Sequence, residues 1–404
     1  MTRTVGLPSG RWARLASDRS VHMVAAAALA ITATNAFPGL HVERLWSHSV
    51  AVGWGEHTAR LDISSVTVEG LMTAFFLCVG LEIRREIAFG ALRSRRAALL
   101  PVMCAAAGML APAFVYGIIA GGGDSSAGWA IPTATDAAVA VGILALVAPG
   151  LSTGARTFLL TLAVADDIGG IIIICFWYSH GAVLLLALAA VGISAVAALA
   201  VRAGVVRFIP ALALLVPAWV LMHEAGISPA VIGAVFGLLV PMSAVPRGRA
   251  VRADVELLLG RLAPFVAALV LPLFAAVSAS VPIEGADLQV GLVAGVAVGL
   301  CLGKPLGIFG AAWLLVRFRV GERPAGTTTR ELLGVAILGG VGFTVSLYIA
   351  ELSFADGRLQ QTATLGVMVG SAAAMVLGAL YFRAPRARSS RRQRAREEAT
   401  LAPS

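Results

Sequence analysis

Two adjacent aspartates, Asp166 and Asp167, lie at the middle of residues 157–178, an apolar stretch long enough to cross a membrane. A carboxylate at the centre of a bilayer costs roughly 2.5 to 3.5 kcal/mol on insertion scales, so two of them in one span indicate a functional site. Neighbouring residues point about 100° apart on a helix, so both carboxylates can border one cavity. Like charges this close titrate as a pair, which favours a shared proton or a bound cation.

A third carboxylate, Asp136, occurs in another apolar stretch, WAIPTATDAAVAVGILALV. Pro132 removes a backbone donor, and Thr133 and Thr135 add hydroxyl groups, so a helix can break here and offer oxygen atoms to a hard cation. The alternative is an ordinary kinked helix whose threonines bond their own backbone. The buried charge of Asp136 favours the broken helix.

Lys304 is the only lysine in the chain and lies in the middle of the apolar stretch GLVAGVAVGLCLGKPLGIFGAAWLLV. Arginine keeps its proton in proteins, whereas a desolvated ammonium can release it, so a lysine at this depth favours proton exchange or a switchable ion pair. A permanent structural pair with one of the aspartates is the alternative.

The segment FFLCVGLEIRREI places Glu82, Arg85 and Glu86 at one end of another span. Glu82 and Glu86 share a helix face, so the three residues form either a surface salt-bridge cluster or a funnel that attracts cations at the cytoplasmic entrance. Further along, GVAILGGVGFTVSLYIA contains several central glycines followed by Thr344 and Ser346. This pattern predicts a second interrupted helix or close packing through small residues.

The composition identifies an integral membrane protein, because 58% of the 404 residues are hydrophobic and only 13% are charged. The long apolar runs predict helices rather than the short alternating segments of an outer-membrane barrel. The net charge of +9 comes from basic residues beside the spans, so it indicates membrane topology and no nucleic-acid partner. The four cysteines lack the spacing of metal ligands or disulfides, so they are predicted to be small core residues. They are Cys78, Cys104, Cys175 and Cys301.

The sequence predicts an all-α membrane protein with three parts: a cytoplasmic segment 1–20, a transporter domain 21–382, and a basic, disordered cytoplasmic tail 383–404. Twelve transmembrane spans are predicted, at residues 21–37, 67–87, 97–120, 129–148, 157–178, 181–201, 205–222, 226–241, 262–281, 290–316, 329–352 and 362–382. With both termini in the cytoplasm, the only external basic residues are Arg44, Arg60 and Arg358. The basic tail is a candidate contact for membrane lipid.

The first external connection, about residues 38–66, alternates apolar and polar residues on either side of Gly53 and Gly55. That pattern predicts a β-hairpin, with a loose loop as the alternative. A hairpin outside the membrane has open strand edges, so it is a candidate contact for a homodimer.

Five segments then occur in a recognisable order: FFLCVGLEIRRE, IPTATDAAVAVGILAL, AVADDIGGIIII, GKPLG and GGVGFTVSLYIAELSF. In these segments, and over about residues 17–382, the chain resembles the NhaA family of bacterial sodium/proton antiporters. The resemblance implies a multi-pass protein of the bacterial inner membrane with two inverted three-helix repeats and crossed, interrupted helices 4 and 11. It implies no cofactor and no enzymatic activity.

The resemblance also implies roles for the charged residues. Asp167 is expected to be the principal ion-binding carboxylate, while Asp166 is expected to pair with Lys304 and exchange protons. Asp136 and Thr135 are expected to offset the helix dipole ends at the crossing. The expected substrates are Na⁺ or Li⁺, exchanged electrogenically for H⁺.

Some positions depart from the family pattern. Leu259, Gly260 and Ala263 stand where the family has a glutamate and two histidines associated with the response to pH, so the pH regulation of this chain is expected to differ from the family's. Ser228 replaces a histidine before span 8, and Glu69 replaces an aspartate in span 2.

These residues suggest three functions. The favoured one is alternating-access exchange in which Na⁺ and protons compete for Asp166 and Asp167. The second is proton- or sodium-coupled symport of a small solute through a related fold. The third is a membrane enzyme that uses Mg²⁺ and a phosphorylated lipid, which the lack of further carboxylates and basic groups near ADDIGG disfavours.

Overall fold

The computed structural model describes the chain in ten pieces, which are residues 11–37, 46, 49–54, 57–62, 66–179, 181–203, 205–206, 208–240, 259–283 and 288–384. Seven helices in these pieces are long and apolar enough to cross a membrane, or eight if one bent pair of helices is a single span. The chain is therefore a multi-pass helical membrane protein, as the composition predicts.

The α-helices follow the predicted apolar stretches closely. They are α1 Arg11–Ala36, α2 Met72–Phe89, α3 Arg95–Ala120, α4 Ala137–Val147, α5 Thr153–Trp177, α6 Leu184–Arg202, α7 Phe208–Ala211, α8 Leu215–Glu224, α9 Ala230–Leu239, α10 Leu271–Ala279, α11 Val290–Val298, α12 Lys304–Arg317, α13 Thr329–Gly339, α14 Phe343–Ser353 and α15 Gly357–Arg383. The first helix begins at Arg11, ten residues before the predicted span at residue 21, so nearly three turns precede its apolar part.

Short π-helical and 3₁₀ segments extend several of these helices. The π-helical segments are Val66–Leu71 before α2, Val266–Val270 before α10 and Gly299–Gly303 between α11 and α12. The 3₁₀ segments are Ala91–Arg93, Gly123–Thr133 before α4, and Leu212–Leu214 between α7 and α8.

Two strands form an antiparallel hairpin in the first long connection. Strand β1, Ser49–Trp54, pairs with β2, His57–Asp62, and places Trp54 opposite His57. The structure therefore has the predicted hairpin rather than a loose loop. Residues 38–45, 55–56 and 63–65 of this connection lie outside the described residues, as do 1–10 and most of the predicted tail.

Helical structure breaks at two places that the sequence marks. The 3₁₀ segment Gly123–Thr133 and helix α4 are bent by 51° across residues 134–136. The backbone of Ala134 is extended, with ψ of 153°, directly after Pro132 and Thr133. The second break separates α13 from α14 at residues 340–342, and Phe343 begins the second half with a positive φ of 27°. A positive φ on a residue other than glycine is strained, and such strain often marks a functional site.

Glycines allow helices α2 and α9 to pack with their backbones in contact. A Cβ atom on Gly80 would lie 2.9 Å from the Cα of Ala234, and one on Gly237 would lie 2.7 Å from the amide nitrogen of Leu81. Only a residue without a side chain fits at such an approach. This contact holds the helix with the cavity-facing Glu82 against its neighbour.

Candidate functional site

The two breaks contact each other directly. The amide of Asp136 donates a hydrogen bond of 2.7 Å to the carbonyl of Val341, so the extended residues of the first break lie against the second. The hydroxyl of Thr135 lies 2.8 Å from the carbonyl oxygen of Gly339, the last residue of α13. Each break leaves backbone groups without a partner in their own helix. Some of these groups form hydrogen bonds with the other break.

The carboxylate of Asp136 caps two helices at once. Its Oδ1 accepts a hydrogen bond of 3.0 Å from the amide of Val139 in the first turn of α4. Its Oδ2 accepts bonds of 3.2 Å from the amide and 2.5 Å from the hydroxyl of Thr344 in the first turn of α14. Helix N-termini carry partial positive charge, so one buried carboxylate, 3% exposed, offsets two of them.

Asp166 and Lys304 form a buried ion pair. Asp166 Oδ2 lies 2.9 Å from the Lys304 ammonium, and both side chains are almost fully excluded from solvent. Thr135 is also 2.6 Å from Asp166 Oδ2, and because its hydroxyl has one proton, it donates to either Asp166 or Gly339 at a given moment. Lys304 also donates to the carbonyl of Thr133.

One oxygen of this pair has no partner. Asp166 Oδ1 is buried and accepts no hydrogen bond from the described residues. A buried carboxylate oxygen without a donor costs free energy comparable to at least one lost hydrogen bond. An oxygen left in this state is available to a cation or a proton.

Asp167 lies one residue further along α5 and faces a cavity of about 280 Å³. Within the part of the chain that the structure describes, its carboxylate takes part in no hydrogen bond and no ion pair. The same cavity is lined by Glu82, Thr135, Asp136 and Thr344. Asp167 is therefore the carboxylate of the pair that is free to take a ligand from the cavity.

The charges where the two breaks meet do not balance. Asp136, Asp166 and Asp167 contribute three negative charges and Lys304 one positive charge, which leaves a formal net charge of two negative units when all are ionised. Helix dipoles offset part of these charges. Asp136 faces the positive N-termini of two helices, and Lys304 faces the carbonyl of Thr133, the last residue of a 3₁₀ segment. The remaining negative charge favours a cation or protons.

The three charged residues at the end of α2 do not form the salt-bridge cluster that was one prediction. Glu82 lines the cavity, whereas Glu86 accepts a bond of 2.7 Å from the amide of Ala91 and lies 3.4 Å from the Thr161 hydroxyl. Arg85 is exposed, and in the described pieces of the chain it pairs with neither glutamate. Only Glu82 of the three therefore shares the cavity with Asp167.

The structure shows the burial and contacts of the positions that depart from the family pattern. Leu259 is buried, Gly260 is exposed and Ala263 lines the cavity, so none of the three presents a charge to it. At the other end of the bundle, the hydroxyl of Ser228 lies 2.5 Å from that of Tyr348.

Glu69 pairs with His223 at 3.4 Å, and the imidazole of His223 stacks on Trp219 with ring centroids 5.7 Å apart. This histidine lies on α8, which packs beside the start of α2.

Sequence reasoning did not assign all the residues that build the site. It singled out Thr344 and Thr133 as polar groups near the breaks but gave neither a partner, and the structure shows that they hold Asp136 and Lys304. Cys78, Val79 and Ser20 line the cavity without any signal in the sequence that marks them.

A helical membrane protein with a net negative, buried site where two breaks in helical structure meet belongs to the class of secondary ion transporters. Residues 11–382 match the family described as Na⁺/H⁺ antiporter 1. The chain therefore belongs to this family, in agreement with the resemblance of its five segments.

Relatives from several bacteria match most of the chain. Na(+)/H(+) antiporter NhaA 2 of Myxococcus xanthus is 34% identical over an alignment of 422 positions that spans 93% of this chain and 89% of that protein. Na(+)/H(+) antiporter NhaA 1 of Saccharopolyspora erythraea is 38% identical over 366, with coverage of 89% and 87%. Na(+)/H(+) antiporter NhaA of Yersinia pseudotuberculosis is 39% identical over 336, with coverage of 79% and 83%.

Proposed function

We propose that this chain exchanges Na⁺ for protons at a site formed by Asp166 and Asp167. Membership of the antiporter family supports Na⁺/H⁺ exchange and gives no support to symport of an organic solute. The observation that carries the site assignment is the contrast between the two aspartates. Asp166 is held by Lys304, whereas Asp167 faces the cavity with no partner among the described residues.

A Na⁺ ion at this site would draw on few carboxylates. No group of three or more His, Cys, Asp or Glu side chains is arranged to hold a metal ion in the described ranges. The oxygen donors at hand are the Asp167 carboxylate, the free Oδ1 of Asp166 and the Thr135 hydroxyl. Hard monovalent cations accept such mixed oxygen ligands, and Li⁺ uses the same donors, so both ions are expected substrates.

Competition between cation and protons follows from this arrangement. When Na⁺ binds the two aspartates, their negative charge is compensated and protons leave; when Na⁺ leaves, protons return. Lys304 contributes to the same balance, because its attraction to Asp166 weakens when a cation takes that carboxylate. The exchange needs no ATP, and any net charge that crosses per cycle couples it to the membrane potential.

The overall architecture proposed for this cycle has twelve spans. Eight of these spans are the seven long apolar helices and the bent pair. The other four are apolar helices that are too short or too charged to count as spans by themselves, at residues 20–36, 72–89, 209–224 and 230–239. The inverted repeats comprise spans 3 to 5 and 10 to 12, and the breaks before α4 and α14 lie in spans 4 and 11. Alternating access then moves one repeat unit against the other around the fixed crossing.

The proposal also covers the orientation of the protein in its membrane, the cytoplasmic entrance and a homodimer contact. Both termini lie in the cytoplasm of a bacterial cell whose inner membrane holds the protein, because the basic residues cluster on that side. Glu82 acts at the cytoplasmic funnel, with Arg85 and Glu86 at its rim. The paired strands β1 and β2 offer an edge for a homodimer.

The test is Na⁺-driven proton movement in everted membrane vesicles that contain a pH-sensitive dye. Addition of Na⁺ or Li⁺ is expected to dequench the dye with the unaltered protein and not with Asp167→Asn. The matched control is Asp124→Asn, which removes one exposed carboxylate that does not line the cavity. Normal dequenching with Asp167→Asn would show that the site is assigned to the wrong residue.

A further inference from the structure

A second cavity, of about 270 Å³, lies where α12 ends and α13 begins. One wall is basic and consists of Arg317, Arg319 and Arg323. The rest of the wall is mainly apolar and includes Phe309, Trp313 and Leu332. Helix α12 ends one candidate membrane span and α13 begins the next, so the cavity lies at the level where the apolar part of the bilayer meets water.

The guanidinium groups of this cavity have no partner among the described residues. In the described part of the chain, Arg317, Arg319 and Arg323 form no ion pair and no side-chain hydrogen bond. Two carboxylates lie nearby in sequence. Glu322 is exposed and does not line the cavity, and Glu331 is engaged with Thr328 and Ser152.

The backbone that presents Arg319 is unusual. Helix α12 ends in a Schellman motif, in which Arg319 donates to the carbonyl of Val316 and Val320 donates to that of Leu315. Arg319 occupies the left-handed position of this motif, with φ of 58°. Glycine is the usual residue there because a Cβ atom is strained at positive φ. An arginine at such a position indicates that its side chain makes a contribution that offsets the strain.

The placement of basic residues on the cytoplasmic side explains why arginines are common here, but it does not explain a cavity lined by three of them. Arginine binds phosphate through two parallel N–H groups, and aromatic side chains favour the membrane interface. Trp313 is 54% exposed and Phe318 is 71% exposed, as expected for side chains in contact with lipid.

From this combination we infer that the cavity binds the phosphate group of an anionic phospholipid, whose acyl chains lie against the apolar wall. This site is separate from the ion-exchange site. Its polar wall recognises phosphate, and its apolar wall distinguishes a lipid from free phosphate in solution.

The experiment measures lipid retention by native mass spectrometry on the full-length protein in detergent, titrated with phosphatidylglycerol, phosphatidylcholine or inorganic phosphate. The first variant is Arg319→Gly, which removes one guanidinium and relieves the strained backbone, so it is not expected to unfold the protein. The second is the triple variant Arg317→Ala, Arg319→Gly, Arg323→Ala. The control is the triple variant Arg93→Ala, Arg95→Ala, Arg96→Ala, which removes three exposed arginines outside the cavity. The three control arginines lie at or just before the start of α3. Leu100, in the second turn of α3, lies beside Gly321 in the loop that carries Arg319 and Arg323, so both triple variants alter the same end of the bundle.

A basic residue near an anionic lipid surface contributes an attraction equivalent to about a fivefold change in affinity. Arg319→Gly is therefore expected to weaken phosphatidylglycerol binding about fivefold and the cavity triple variant about a hundredfold, while the control triple variant stays within about twofold. Equal losses in the two triple variants, or equal retention of phosphatidylcholine and phosphatidylglycerol, would overturn the inference. Binding of inorganic phosphate as tight as that of phosphatidylglycerol would also overturn it, because the apolar wall would then contribute nothing.

Discussion

Replacement of Asp136 tests whether one carboxylate stabilises both broken helices. In Asp136→Ala the amide of Val139 loses its cap, which costs about 1 kcal/mol. The buried amide and hydroxyl of Thr344 lose their acceptor as well, and a buried donor without a partner costs about 1 to 3 kcal/mol. We expect a total loss of about 3 to 7 kcal/mol in the free energy of unfolding, which is the cost of the lost cap plus that of the two unpaired donors.

Asp136→Asn separates geometry from charge. Asparagine caps a helix as well as aspartate does, so the bond to Val139 is retained. Its NH₂ group cannot accept a hydrogen bond from the Thr344 amide, but it can donate one to the Thr344 hydroxyl. We expect a loss of about 1 to 2 kcal/mol, well below that of the alanine variant. The control is Asp356→Ala, which removes a single exposed cap from the start of α15 and should cost about 0.5 to 1 kcal/mol.

The assay is unfolding of the purified protein in mixed micelles with increasing SDS, followed by circular dichroism, with the same preparation used for all variants. An Asp136→Ala protein no less stable than Asp356→Ala would refute the double cap. Equal losses for Asn and Ala at position 136 would show that the negative charge, rather than the hydrogen bonds, supports the crossing.

Three other predictions follow from the packing and the charges. Lys304→Met leaves Asp166 as a buried charge without its counter-ion, which should cost about 3 to 5 kcal/mol, and the double variant with Asp166→Asn should be more stable than Lys304→Met alone in the same unfolding assay. Gly80→Ala should destabilise the protein by about 1 to 3 kcal/mol because its Cβ atom meets the backbone of α9, whereas Gly192→Ala, which meets nothing within 4 Å, should stabilise it by up to about 1 kcal/mol; thermal unfolding compares the two. The Na⁺ concentration for half-maximal exchange should rise as pH falls, by up to about tenfold per pH unit for each displaced proton, and a value independent of pH would contradict competition.

The sequence predicts the positions of the seven long helices well because each contains a long apolar run. It also marks where the helices break, since Pro132 removes a backbone donor and the glycines before Phe343 weaken a helix. The cost of burying charge in a membrane further indicates that the aspartates and Lys304 converge.

The contacts within the site could not be read from the chain. The residues alone left open which aspartate pairs with Lys304, and the family resemblance supplied Asp166, which agrees with the 2.9 Å separation in the structure. The bond between Asp136 and Thr344 joins residues more than 200 positions apart, so it depends on how distant helices are aligned. The hydrogen bond of Glu86 to Ala91 likewise depends on the 3₁₀ turn after α2, which the spacing of the charges does not reveal.

The most direct test of the exchange site is a measurement of protons released when Na⁺ binds. The purified protein, in weakly buffered detergent solution with a pH-sensitive dye, is titrated with NaCl and with choline chloride as the salt control. We predict that Na⁺ releases protons from the unaltered protein and from Asp124→Asn but not from Asp167→Asn. Saturable Na⁺ binding without proton release, or undiminished release from Asp167→Asn, would contradict the claim that cation and protons compete at these aspartates.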